Sequence, residues 1–339
     1  MNIDDKQEGE KSIYWTAEEL LTREFPPIQW IVPELITTGL SLLAGAPKLG
    51  KSWLMLSVAI AVASGERVFG KIPVDKAGVL YLALEDTGRR LKDRLLKLNA
   101  KAMPNLQFIT EWDLGFKHLS TYLKHDMGTR LVIIDTWGRF AKVARPNDYS
   151  ENTEKAVELK AIADNLGIAI VIVHHTRKKT KDSSKDWLDD VLGSQALSAA
   201  ADSTIILRRG RGDKKADLLI TGRDISEKEL VLSFDLNCGG WKLEGDKKDM
   251  QESDERQSIL EWIKDNGPHP SKAIYEKMKE EGETRAYSSV RRLLSAMDRD
   301  GALQKNNGVY ALADRFARPA QEAGNLKDTP EQHEQTSAS

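Results

Sequence analysis

The chain of 339 residues has one cysteine, Cys238, so no disulfide can close within it, which suits a reducing compartment. It has no long apolar run: the longest stretches, such as Ser57–Ala63 and Ile168–Val173, fall far short of the ~20 residues that cross a bilayer. It has no excess of positive charge, the formal net charge being −2, so any nucleic-acid site must be local. Its polar, acidic start, MNIDDKQEGEK, is unlike the basic and then apolar start of a signal peptide. Together these absences lead to the expectation of a cytoplasmic protein. The length leaves room for one large domain and a small one.

What is present is a strand–helix alternation. Leu40–Ala44, Val79–Leu84, Leu106–Thr110, Leu131–Asp135 and Ile168–Val173 are short apolar runs. Between them the apolar residues recur at helical spacing, as in Leu159, Ile162, Ala163 and Leu166. Alternation of this kind predicts an α/β fold, with a parallel sheet covered by helices on both faces. After Ala201 the runs Ser203–Leu207, Ala216–Thr221 and Leu230–Phe234 are separated only by turns, which predicts antiparallel strands appended to that sheet.

The charged stretch Glu244–Asp254 reads as a linker between a main domain over 13–243 and a second unit over 255–313. In that unit, helices are expected over Arg256–Lys264, Ser271–Glu280 and about Tyr287–Asp300. A hairpin of Ala302–Lys305 and Val309–Leu312 follows, turning at Asn306-Asn307-Gly308. Three helices followed by a hairpin describe a winged helix-turn-helix domain. Residues 1–12 and 314–339 are polar and read as disordered.

Gly45-Ala46-Pro47-Lys48-Leu49-Gly50-Lys51-Ser52 matches G-x-x-x-x-G-K-[ST], between a strand and the helix Lys51–Ser64. Such a loop wraps its N–H groups around phosphates, at the positive end of the following helix. Lys51 would reach the β- and γ-phosphates of ATP and Ser52 would hold Mg²⁺; Trp53, the next residue, is counted with the nucleotide-binding stretch. Asp135 ends a buried strand where the second Mg²⁺-linked carboxylate belongs. Glu85 ends another, where it could activate water, or with Asp86 could merely cap the helix Thr87–Leu98. His174 and His175 end a third, and either could sense the γ-phosphate or be structural.

The ordered segments GAPKLGKS, VLYLALED, RLVIIDTW, VIVHHTRKK, VLGSQALSAAADSTIILRR and LLITGRD resemble the RepA-like branch of the RecA/DnaB-type hexameric ATPases. The resemblance covers about residues 28–240. It implies a RecA-like P-loop core, ATP and Mg²⁺ as ligands, and a ring of identical subunits with the site between neighbours. It also implies Glu85 as the water-activating glutamate, Asp135 as the Mg²⁺-linked aspartate, His174 or His175 as the γ-phosphate sensor, and an arginine finger supplied by a neighbour. Arg223 matches the finger best, with Arg208 and Arg209 as rivals.

A DNA-facing loop is implied as well, and Arg177, Lys178, Lys179, Lys181 and Lys185 form a basic run beside the histidines, with Trp187 beyond. In the second unit Arg285, Arg291 and Arg292 flank the start of the third helix, the one a winged helix lays in the major groove. Residues 254–313 nevertheless carry 10 Lys+Arg against 10 Asp+Glu, so a protein-binding role competes with a DNA-binding one. The leading expectation is a DNA-stimulated hexameric ATPase with helicase-like movement, serving the replication of a plasmid, phage or similar element. An ATP-switched DNA-binding regulator and a RecA-like recombination mediator are the alternatives.

Overall fold

A computed structural model describes residues 15–126, 128–143, 148–176, 195–210, 212–280 and 286–313. These group into two compact units that divide between Asp246 and Lys247. The first begins with α1 (Ala17–Thr22), β1 (Trp30–Val32), β2 (Ile36–Thr37), β3 (Gly39–Gly45), α2 (Lys51–Ser64), β4 (Arg67–Val68) and β5 (Ile72–Pro73). It continues with β6 (Gly78–Ala83), α3 (Gly88–Lys97), β7 (Leu106–Ile109), α4 (Gly115–His125), β8 (Thr129–Asp135), α5 (Trp137–Ala141), α6 (Tyr149–Leu166) and β9 (Ala169–His175). It closes with α7 (Gln195–Ala200), β10 (Ser203–Arg208), β11 (Lys215–Gly222), β12 (Lys228–Phe234) and β13 (Trp241–Asp246).

Nine strands form one sheet in the order β13-β12-β11-β10-β3-β9-β8-β6-β7. From β10 to β7 every pairing is parallel, while β10 to β13 pair antiparallel. The expected antiparallel extension therefore starts one strand later, at β11, because β10 lies parallel to β3. Alternation along each central strand sends side chains into two separate cores. Leu43, Tyr81, Ile133, Val171 and Val173 meet α2 on one face. Leu42, Leu80, Leu82, Ile134, Ile170 and Ile172 meet α4, α5 and α6 on the other. Leu43, Leu80, Ile133 and Val171 are fully buried, each worth about 1.5–3 kcal/mol relative to exposure.

The second unit consists of α8 (Lys247–Asn266), β14 (His269–Pro270), α9 (Ser271–Glu280), α10 (Tyr287–Arg299), β15 (Leu303–Asn306) and β16 (Val309–Leu312). Its core gathers Ile259, Ile263, Ile274, Val290, Leu293, Leu294, Met297 and Tyr310. The short strand β14 adds to the hairpin as a third strand, pairing with β16. Glu244–Asp254 is not a linker: residues up to Asp246 complete β13 and the rest form the opening turns of α8. Lys, Glu and Gln are good helix formers, so a charged run without apolar groups can still extend a helix. Residues 1–12 and 314–339 lie outside the described residues.

Candidate active site

The loop Gly45–Ser52 joins the end of β3 to the start of α2. Gly50 has φ 98°, a left-handed conformation in which a side chain is strained, and a Cβ there would stand 3.1 Å from the Trp241 ring. A Cβ at Gly45 would stand 2.7 Å from the Leu207 carbonyl oxygen. The loop is thus a close-fitted backbone cradle at a helix N-terminus.

Lys51 is buried at 3% exposure, and its ammonium donates to the carbonyls of Gly45 (2.7 Å) and Ala46 (2.9 Å). It also meets His175 Nδ1 at 2.9 Å. Burial pushes the Lys51 ammonium down to about 8, against the pull of Asp135 and Glu85.

Register decides what stands beside it. Gly45 pairs with His175, Val173 with Asp135, and Asp135 with Ala83. The carboxyl ends of four parallel strands therefore lie side by side, as ligand sites in such sheets require. Asp135 shares the alternation of Leu131 and Ile133, and His175 that of Val171 and Val173, so both turn to the α2 face with Lys51. His174 has the parity of Ile170 and Ile172 and turns to the opposite core. Of the two histidines expected as sensors, His175 alone meets Lys51 and Glu85.

Glu85 lies just beyond β6. Thr136 Oγ1 donates to its Oε1 at 2.8 Å and His175 Nε2 lies 3.7 Å from its Oε2. Burial, then Lys51, lowers the His175 pKa, with Glu85 pulling the other way. Asp86 is bound by Arg90 (3.0 Å) and Arg94, whose guanidinium stands 5.3 Å over the Trp53 ring. The helix cap weighed for this pair falls to Thr87, whose side chain accepts from Arg90 N.

Asp135 is 4% exposed. Burial raises its pKa, while hydrogen bonds from the Ser52 and Tyr81 side chains lower it. For a nucleotide with Mg²⁺, the residues present fit. Mg²⁺ is typically held by one or two carboxylates together with substrate phosphates, and here the buried Asp135 carboxylate stands across the Tyr81 hydroxyl from Ser52, the second residue of α2.

Beside the loop, a cleft of about 510 Å³ is lined by Ala46, Leu49, Thr176, Arg208, Arg209 and Asp217, among others. Phe234 and Trp241 pack 4.8 Å apart, with the Arg209 guanidinium 4.9 Å from the Phe234 ring. Trp241 Nε1 donates to the Gly50 carbonyl at 3.3 Å. The Trp53 ring is partly buried and packed against Gly239, whose added Cβ would meet it at 2.3 Å. Tyr81, Thr136 and Trp241 were not picked out from sequence. The signal for Tyr81 was a phenol in an otherwise apolar strand, which needs a polar partner when buried.

Arg223 lies at the other edge of the sheet. Its backbone N–H donates to Asp202 O, and Asp202 N–H to Leu40 O at the start of β3. From there to Gly45 is roughly 16 Å along the strand at about 3.3 Å per residue. Arg223 therefore does not serve its own loop. Its guanidinium is 63% exposed and 3.6 Å from Asp202. The rivals Arg208 and Arg209 stand on the loop's own side, lining the cleft. Arg291 lies on α10, 5.9 Å from the Tyr287 ring, and Arg292 beside it is exposed. Arg177, Lys178, Lys179, Lys181, Lys185, Trp187 and Arg285 fall outside the described residues.

The sequence profile of the AAA domain matches residues 6–181, more than half of the chain. Among solved structures, the chain is similar to one described as an ATPase domain, with 16% identity and a TM-score of 0.50 over 60% of this chain and 84% of that one. It is also similar to the helicase in "The Structure Of A DnaB-Like Replicative Helicase And Its Interactions With Primase", again at 16% and 0.50, over 61% of this chain and 58% of that one. At such identity the likeness is one of fold, that of a RecA-like P-loop ATPase core.

Proposed function

The chain belongs to the AAA domain family, and on that premise we propose that it is a Mg²⁺-dependent ATPase of ring-forming, RecA-like type that acts on DNA. The observation carrying this reading is the convergence of Lys51, Asp135, Glu85 and His175 on one face of one strand edge, against the phosphate loop. The loop N–H groups and Lys51 bind the phosphates, and Ser52 and Asp135 hold the metal. Bound Mg²⁺ supplies neutralisation of charge on the β- and γ-phosphates. Glu85 orients the attacking water and takes its proton. His175, touching both Lys51 and Glu85, transmits the presence of the γ-phosphate between them. Arg209 with Phe234 and Trp241 walls the space for the base.

Arg223 completes the site in trans. It is remote from its own loop, exposed, and only loosely paired, so a ring can present it to the next subunit's phosphates. The basic run Arg177–Lys185 and the C-terminal unit supply the contacts to DNA. That unit, three helices and a three-stranded sheet, is read as a winged helix, with Arg285, Arg291 and Arg292 toward duplex DNA. The expected setting is the replication of a plasmid, phage or similar element, with helicase movement and a cytoplasmic location.

The decisive experiment is the ATPase rate with and without single-stranded DNA across protein concentration. Turnover per chain should rise with concentration and rise again with DNA. A rate that is flat in both would sink the ring reading. The C-terminal unit favours a second reading, an ATP-switched DNA-binding regulator. Turnover without strand displacement on any forked duplex would select it.

A further inference from the structure

Tyr81 stands in the middle of β6, 2% exposed, in the core between the sheet and α2. A hydroxyl buried this deeply is costly without a partner. Its partner is the carboxylate at the end of the neighbouring strand: Tyr81 Oη donates to Asp135 Oδ2 at 2.9 Å. Tyr81 Oη also lies 3.5 Å from the backbone carbonyl oxygen of Ser52. One phenol thus touches both residues read as holding Mg²⁺, Ser52 on α2 and Asp135 on β8.

The bond is not needed to join the strands. β6 and β8 are already paired through their backbones from Gly78–Thr129 to Ala83–Asp135. Nor is it needed to place the ring, which packs 5.8 Å from Phe108 and within the apolar core. What the hydroxyl adds is a fixed direction for one oxygen of a buried carboxylate. Partners of this kind orient metal-binding groups, and their loss typically weakens metal binding about 10–100-fold.

We propose that Tyr81 is a positioning residue of the metal site, its hydroxyl holding Asp135 in the orientation that binds Mg²⁺. The proposal rests on the reading of Ser52 and Asp135 as the metal-holding pair.

Tyr81→Phe removes the hydroxyl and keeps the ring, so the fold should survive, as a thermal melt will show. Binding of fluorescent ADP to the full chain is titrated over a range of Mg²⁺ for wild type, Tyr81→Phe, Asp135→Asn and the double variant. Tyr81→Phe should raise the Mg²⁺ concentration for half-effect about tenfold, with Mg²⁺-free ADP affinity changed less than about twofold. In the Asp135→Asn background it should add nothing further, since its effect passes through that carboxylate. A normal Mg²⁺ dependence in Tyr81→Phe, with a shifted one in Asp135→Asn, overturns the role of Tyr81 alone. Equal losses with and without Mg²⁺ mark a structural bond and also overturn it. A normal Mg²⁺ dependence in Asp135→Asn overturns the metal-site reading, and this proposal with it.

Discussion

The two edges of the central sheet handle charge in opposite ways. At the carboxyl edge, the buried Lys51 gives its hydrogen bonds to two carbonyls and an imidazole, not to a carboxylate. Asp135, close by, accepts from the Tyr81 hydroxyl and not from a cation. At the other edge Asp202 is bonded by Lys160 at 2.6 Å, accepts from Leu40 N–H at 3.0 Å, and is approached by Arg223. Lys51 and Asp135 keep their charges without an ion-pair partner among the described residues, at the cost of burial, whereas the charge of Asp202 is cancelled by Lys160. The exception at the second edge is Arg223, which is mostly solvent-exposed and whose separation of 3.6 Å is loose for an ion pair. On the proposed function, the contrast separates a site that receives phosphate from an edge that presents one arginine.

The sharpest way to break the comparison is Lys51→Ala. Without that ammonium the loop keeps its N–H groups but loses its one buried cation. ATP turnover should disappear and nucleotide affinity should fall by at least about a hundredfold, in a direct binding titration. Full turnover would move the phosphate site elsewhere. Next comes Arg223→Ala, for which an arginine finger implies a loss of about 10³–10⁵ in turnover with ADP binding retained. Action in trans has its own signature: Arg223→Ala and Lys51→Ala subunits, each inactive, should regain activity when co-assembled. In a random mixture about a quarter of the junctions pair an intact loop with an intact arginine. No recovery would leave Arg223 as a partner of Asp202 and nothing more.

Much of the loop edge was legible because its signals are local. A glycine-rich motif between a strand and a helix, and acids ending apolar strands, follow directly from residue order. Residue order left the choice between the two histidines open; the structure shows which face Val171 and Val173 occupy, and the alternation then puts His175 on the Lys51 side and His174 on the other. The Arg209–Phe234–Trp241 stack was not legible, because it depends on the antiparallel pairing of β12 with β13, and β13 reads as a polar stretch. The supposed linker at Glu244–Asp254 misled for a similar reason: charge density marks solvent exposure, and an exposed helix satisfies it as well as a loop does.

Glu85→Gln tests the division of labour within the loop edge. ATP affinity should stay within about threefold of wild type, while hydrolysis falls on the order of 10²–10⁴ in a single-turnover assay. Parallel loss of binding and turnover would make Glu85 part of the cradle instead of the water's base. Thr136→Val, which removes the hydroxyl bonded to Glu85 Oε1, should shift turnover in the same assay by a smaller factor, on the order of 10.

The smallest effect concerns the histidine that turns away from the site. Burial, then His175 and Lys51, hold His174 down at about 4, against an unfolded value near 6.5. Between those values the unfolded chain binds a proton that the folded chain refuses. The contribution of His174 to stability is therefore whole above pH 6.5 and is lost as pH falls toward 4. Asp135 works the other way, because its raised pKa makes the folded chain the better proton binder in the acid range. The total pH dependence thus mixes signs, and only a difference isolates His174. Wild type should lose on the order of 1–2 kcal/mol more than His174→Gln between about pH 7 and pH 5, a few degrees in the melting midpoint. If both lose the same, the imidazole is hydrated enough to titrate normally, and the parity that assigns it to the opposite core would no longer explain why His175 alone faces Lys51.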